Sequence, residues 1–131
     1  MNFHVDFCRE KNILRVSWEN QVKDQDIRDY YNAVTSAMKS VGQCSGICDF
    51  SAVTKLQVSS NMVEELAARP ALIPEGYTHV IVAPQEHVYG LVRMYETLTN
   101  RNNVVVVRTI EEAYKILKLA SPEFTALEQR K

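Results

Sequence analysis

The sequence predicts one α/β domain in the order β-β-α-β-α-β-α-β-α, with a mostly parallel five-stranded sheet and an N-terminal antiparallel hairpin. Three observations carry this. The hydrophobic period alternates between 2 and 3.6 in units of about 30 residues, the size of a strand and its crossover helix. Every connection after the first hairpin contains a helical stripe, and parallel neighbours need such a crossover. A chain of 131 residues with 46% hydrophobic and 24% charged side chains can bury one ordinary core and is too short for a second full domain.

Phe3, Val5 and Phe7 alternate with Asn2, His4, Asp6 and Cys8, and Leu14, Val16 and Trp18 alternate with Arg15, Ser17 and Glu19, so each segment is a strand with one apolar face. Glu10-Lys11-Asn12 is too short for a crossover and makes the pair a hairpin. Ile27, Tyr30, Tyr31, Val34, Ala37, Met38 and Val41 form a helical stripe, capped by Asp24 and stopped by Gly42. Gly46 to Phe50 reads as a short strand followed by a loop. Met62, Val63, Leu66 and Ala67 mark a short helix starting near Ser59, Ser60 and Asn61, with Glu64 three residues after Asn61 as in a capping box; Pro70 ends it. A strand over Thr78 to Ala83 stops at Pro84. The helix from about Glu86 to Asn100 carries Val88, Leu91, Val92, Tyr95 and Leu98 on one stripe. Gly90 lies inside it at a cost of about 1 kcal/mol relative to Ala, which points to a close helix contact. Asn102-Asn103 turns into the strand Val104 to Val107, and Thr109-Ile110-Glu111-Glu112 opens the last helix as a capping box. The domain is expected over residues 1–120, with a more polar, fraying tail over 121–131 in which Phe124 and Leu127 could dock a terminal turn.

Sequential strand placement puts the crossover helices on one side of the sheet. Val104 to Val107 is nonetheless apolar on both faces, and Val80-Ile81-Val82 nearly so, which demands cover on both sides. Either a helix crosses to the second face or a second copy covers it as a homodimer.

Composition narrows the function. Fifteen Lys+Arg against 16 Asp+Glu leave a net charge of -1, unlike a nucleic-acid platform, whose affinity rests on clustered, uncompensated cations. Only four glycines are present, with no P-loop, dinucleotide fingerprint or nucleophile elbow, so no cofactor is expected. No apolar run approaches the roughly 18 residues of a membrane span. The first residues carry neither a basic leader nor a long apolar run, and three cysteines make no complete disulfide framework, which together predict a cytoplasmic protein.

The element order, with Ile47-Cys48-Asp49-Phe50-Ser51-Ala52-Val53-Thr54, resembles the STAS domain, the fold of bacterial anti-sigma-factor antagonists, and especially its divergent SpoIIAA-like relatives. In that family the third strand ends in an apolar-Asp-apolar-Ser segment followed by a Val, and a helix begins about ten residues after the Asp. Asp49, Ser51, Val53 and the Ser59 to Asn61 helix start stand in those relations. The family's Asp-Ser-Ser-Gly run, whose second Ser is phosphorylated to switch partner binding, falls without a gap on Gln57-Val58-Ser59-Ser60. The resemblance therefore implies that Ser59 is the switch residue, although Gln57 stands for the Asp and Ser60 for the Gly. Helix-start amides and the helix dipole could hold a phosphate there, and Ser59 and Ser60 also serve as plain caps.

Other constellations are weaker. Cys44-x-x-x-Cys48 with His4, His79 and His87 lacks ligand spacing, since the histidines belong to three separate elements, and no metal is expected. Asp49, at the carboxyl end of a central strand, is the best acid-base candidate or else a cap for the segment that follows. Tyr89 and Met94 lie off the main stripe of their helix and, with Gly90 and Arg93, are candidates for an interface. The expected function is a non-enzymatic regulatory or protein-interaction module with or without a working phospho-switch, binding through Asp49, Ser59, Ser60 and Asn61. The alternatives are a binder of a small apolar ligand or lipid and a small enzyme using Asp49 or Cys48.

Overall fold

The structure, a computed structural model that describes residues 2–120 and 122–127, contains a mixed six-stranded sheet and four helices. Its elements are β1 (Phe3–Cys8), β2 (Ile13–Lys23), α1 (Asp24–Val41), β3 (Ser45–Gln57), α2 (Ser60–Ala68), β4 (His79–Val82), α3 (Glu86–Thr99), β5 (Val104–Val107), α4 (Ile110–Ile116) and β6 (Thr125–Ala126). Strand order is β5-β4-β3-β2-β1-β6. β2 to β5 are mutually parallel, and β1 is antiparallel to β2, as their short connection requires. The sheet exceeds the expected five strands by β6, which pairs antiparallel with β1. Two side contacts hold it there: the Arg15 guanidinium lies 4.0 Å from the centre of the Phe124 ring, and the Leu127 N–H donates to the Val5 carbonyl at 3.0 Å. Of the expected tail, Ser121 and residues 128–131 lie outside the described residues.

β3 runs far past its expected end at Phe50. Its pairing with β2 continues through two register shifts, around Ser17/Glu19 and Asn20/Gln21, to Lys23 opposite Gln57. Asn20 has φ 62, a left-handed conformation that Asn tolerates and that suits a bulge. The loop expected after Phe50 is therefore strand. It escapes the sequence pattern because Ser51, Ala52, Thr54, Lys55 and Gln57 are all exposed, while backbone bonds to β2 keep it extended. Along β3, β4 pairs only with Gly46 to Asp49, so beyond that point β2 and β3 project as a two-stranded ribbon.

One face of the sheet packs against α1, α2 and α3. Ile27, Tyr30, Val34, Met62, Val88 and Val92 meet the inward residues of β1 to β4. Trp18, 1% exposed, sits at the centre, stacked on Phe50 at 5.7 Å and 6° between planes and flanked by Tyr30 and Phe3. α4 crosses to the other face, where Ala113 joins Ile47, Val80, Val82 and Val107. The doubly apolar strands are thus covered within the chain. Beside β1 and β2 a polar cluster borders α4: Arg15 donates to both Asp6 oxygens at 3.0 and 2.8 Å and to the hydroxyl of Tyr114, on α4, at 2.9 Å.

Helix ends correct three local expectations. Lys23, not Asp24, is the N-cap of α1, with its N–H bonded to Asp26 at 2.8 Å; Asp24 is the first helical residue, near the positive end of the helix dipole. Ser59 caps α2 by accepting the Met62 N–H at 3.0 Å, so Asn61 is already inside the helix and cannot open a capping box with Glu64. Gly90 makes no close helix contact: it is exposed, and nothing lies within 4 Å of where a Cβ would stand. Gly90→Ala is expected to raise stability by about 0.5–1 kcal/mol. A urea midpoint that moves down would show that the bare backbone is needed.

Candidate functional site

The exposed end of the β2–β3 ribbon places the start of α2 beside the start of α1. Ser59 donates its backbone N–H to Asp24 Oδ1 and its hydroxyl to Asp24 Oδ2, both at 2.8 Å, while the same hydroxyl oxygen caps α2. One carboxylate thus clamps two helix N-termini, a position where negative charge is favoured. A second link lies one turn further along, where Glu65 of α2 receives Arg28 of α1 at 3.3 Å and Arg69 at 2.8 Å. Ser60 and Asn61 complete the first turn of α2 and are exposed.

Asp49 does not belong to this rim. Seven residues of extended chain lie between it and Gln57, eight steps along β3 or on the order of 25 Å at the usual strand rise. Its Oδ1 accepts the Ser51 N–H at 2.9 Å and the Ser51 hydroxyl at 2.6 Å, a local side-chain turn. Nearby, the Gln85 amide nitrogen reaches the carbonyls of Phe50, Ser51 and Val53 at 3.4, 3.3 and 2.9 Å, tying the start of α3 to the β3 edge that β4 leaves uncovered. The resemblance brings Asp49 and Ser59 into one surface; the strand between them keeps them apart.

The outer side of α3 holds the remaining candidates. The Tyr89 ring is covered by the Arg108 guanidinium at 3.5 Å, and Arg108 also bonds Glu86 at 2.9 Å. Arg93 is exposed and pairs with Glu96 at 3.2 Å, Met94 is half-buried and Gly90 is bare backbone. The four residues share a helix face, and its large aromatic member already has a cationic partner.

Cys48 is in the main core, fully enclosed, and burial pushes its thiol up to about 12 despite the neighbouring Trp18 indole and Tyr30 hydroxyl. A thiolate is therefore disfavoured at neutral pH. Cys44 is also buried, its sulfur 3.4 Å from that of Met38. His4 stands 3.1 Å from Glu19 on the hairpin, His87 is exposed at the start of α3, and His79 is buried in β4, where burial first and Arg101 second hold it down to about 4. Among the described residues no group of three or more His, Cys, Asp and Glu comes together as a metal could require, and no helix is long and apolar enough to cross a membrane.

Sequence reasoning missed Asp24 and Gln85 as positioning residues. Asp24 was legible as a helix-start acid, but its partner lies 35 positions away. Gln85 had no pattern to mark it. No family model matches the chain, and no curated protein matches it.

Proposed function

We propose that this chain is a non-enzymatic, STAS-like protein-interaction module whose partner surface is the rim formed by Asp24, Ser59, Ser60 and Asn61. The clamp between Asp24 and Ser59 carries this reading. It fixes two helix starts as one exposed edge, and a rigid edge can bind without loss of much conformational freedom. The clamp is also the part of the molecule most sensitive to a change of charge at Ser59. A phosphoryl group would replace the hydroxyl proton given to Asp24 with a charge of about -1.5 to -2, and the two anions would repel across a distance now bridged by a hydrogen bond. The edge would open, and a partner that fits the closed form would be lost.

Photocrosslinking in the source cell, from a probe placed at Asn61 and from a control probe at Lys11 in the β1–β2 turn, which precedes the far end of β2, tests the proposal. A discrete adduct from Asn61 alone, abolished by Ser59→Glu, is expected. Adducts that arise equally from both positions, or that survive Ser59→Glu, would sink it. Ser59→Ala separates packing from charge: it is expected to retain the adduct and to cost about 1 kcal/mol of stability as a lost N-cap.

A further inference from the structure

Between α1, α2 and α3 and the inner face of β3 and β4 lies an apolar cavity of about 70 Å³. Its wall includes Phe50, Met62, Val63, Ile81 and Val92, and four polar side chains border it: Tyr30, Cys48 and His79, which are 6%, 4% and 6% exposed, and Tyr95, whose hydroxyl has Arg101 as a partner. The Tyr30 hydroxyl has only the weak sulfur of Cys48 beside it as a hydrogen-bond partner. The His79 ring makes no hydrogen bond among the described residues, and its nearest cation, Arg101, is directed to the Arg69 carbonyl at 3.0 Å. The Tyr30 hydroxyl and the His79 imidazole border one shared space and have hydrogen-bonding capacity to spare there, which points to something that enters the space and completes them.

The chemistry of the space is narrow. Burial keeps His79 deprotonated and the Cys48 thiol and the Tyr30 and Tyr95 phenols protonated at neutral pH, so none of the four offers a charge to an ionised head group. The volume is roughly half of the about 150 Å³ that encloses a benzene ring, enough for a few chain atoms and too little for a ring or a lipid body. Half-buried Leu56, Val58, Leu66 and Leu72 continue the wall as an apolar rim.

We infer that this cavity binds the polar end of a short, uncharged aliphatic alcohol or carbonyl compound, its oxygen set against Tyr30 and His79 and its chain leaving over the apolar rim. The cavity lies on the inner side of α2 and the proposed partner rim at its exposed first turn, so either can fail without the other.

A methyl-resolved NMR titration of the full chain at pH 7 with 1-hexanol, hexanoate and hexylamine tests this. 1-Hexanol is expected to produce saturable shifts at the Met62, Ile81 and Val92 methyls, and the two charged analogues to bind at least about tenfold more weakly, because their heads would be desolvated in a wall that holds no charged side chain, Arg101 lying behind it. Tyr30→Phe keeps the ring and is expected to weaken 1-hexanol about threefold to tenfold, the worth of one hydrogen bond. Absence of saturable shifts up to the solubility limit of 1-hexanol, or equal binding of hexanoate, would overturn the inference. Should Tyr30→Phe fail to fold, the head-group comparison in the unsubstituted chain decides it alone.

Discussion

Trp18→Ala is expected to remove about 3–5 kcal/mol of stability, with Trp18→Phe costing clearly less. Trp18 is 1% exposed and touches aromatic rings from β1, α1 and β3, so truncation leaves a void lined by Phe3, Tyr30 and Phe50 that cannot close without moving three elements. The Phe variant fills most of that void. It also deletes the indole N–H, which is buried with only the weak acceptor sulfur of Cys48 beside it and so costs desolvation with little hydrogen bonding in return. Urea unfolding followed by far-UV circular dichroism gives both numbers, since the only tryptophan is lost in each variant. A Phe variant as unstable as the Ala variant would mean that the N–H is satisfied in solution.

Acidification from pH 6.5 to 4 is expected to cost about 3 kcal/mol through His79 alone. The ring titrates near 6.5 in the unfolded chain and near 4 in the folded one, because protonation would place a cation in an apolar interior already facing Arg101. Between those values the unfolded chain binds the proton and the folded one does not. The contribution is therefore fully present above about pH 6.5, declines as the pH falls and is gone below about 4. His79→Phe is expected to flatten this part of the stability profile measured by urea unfolding at each pH. An unchanged slope in the variant would assign the acid sensitivity to other groups.

The element order was legible because each segment has an unbroken local pattern: alternation in β1, a 3.6-residue stripe in α1 and α3, and short all-apolar runs in β4 and β5. The hairpin followed from a connection too short for anything else. Gly42, with φ 83, terminates α1 as its residue type alone implied. Ser59 was also legible as a helix-start serine, and its cap is formed. Patterns failed where partners are distant or backbone alone decides. The outer half of β3 has polar side chains and stays extended only because β2 bonds to it, and β6 depends on contacts from Phe124 and Leu127 to residues more than 100 positions earlier. Gly90 misled for the opposite reason: a glycine in a helix signals either close approach or mere tolerance, and only the surrounding space distinguishes them.

Sequence by itself determined the class of the domain, the parallel core strands, the hairpin and the residue that opens α2, since these depend on side-chain period and turn length. Tertiary structure decided that α4 packs on the second face of β4 and β5, because a doubly apolar strand specifies burial and not the element that supplies it. It also decided that Asp49 and Ser59 are held apart by a strand, that Asp24 joins Ser59, and that Tyr30, Cys48 and His79 border one cavity. Those relations come from strand order and helix packing, which bring together residues with no spacing in common.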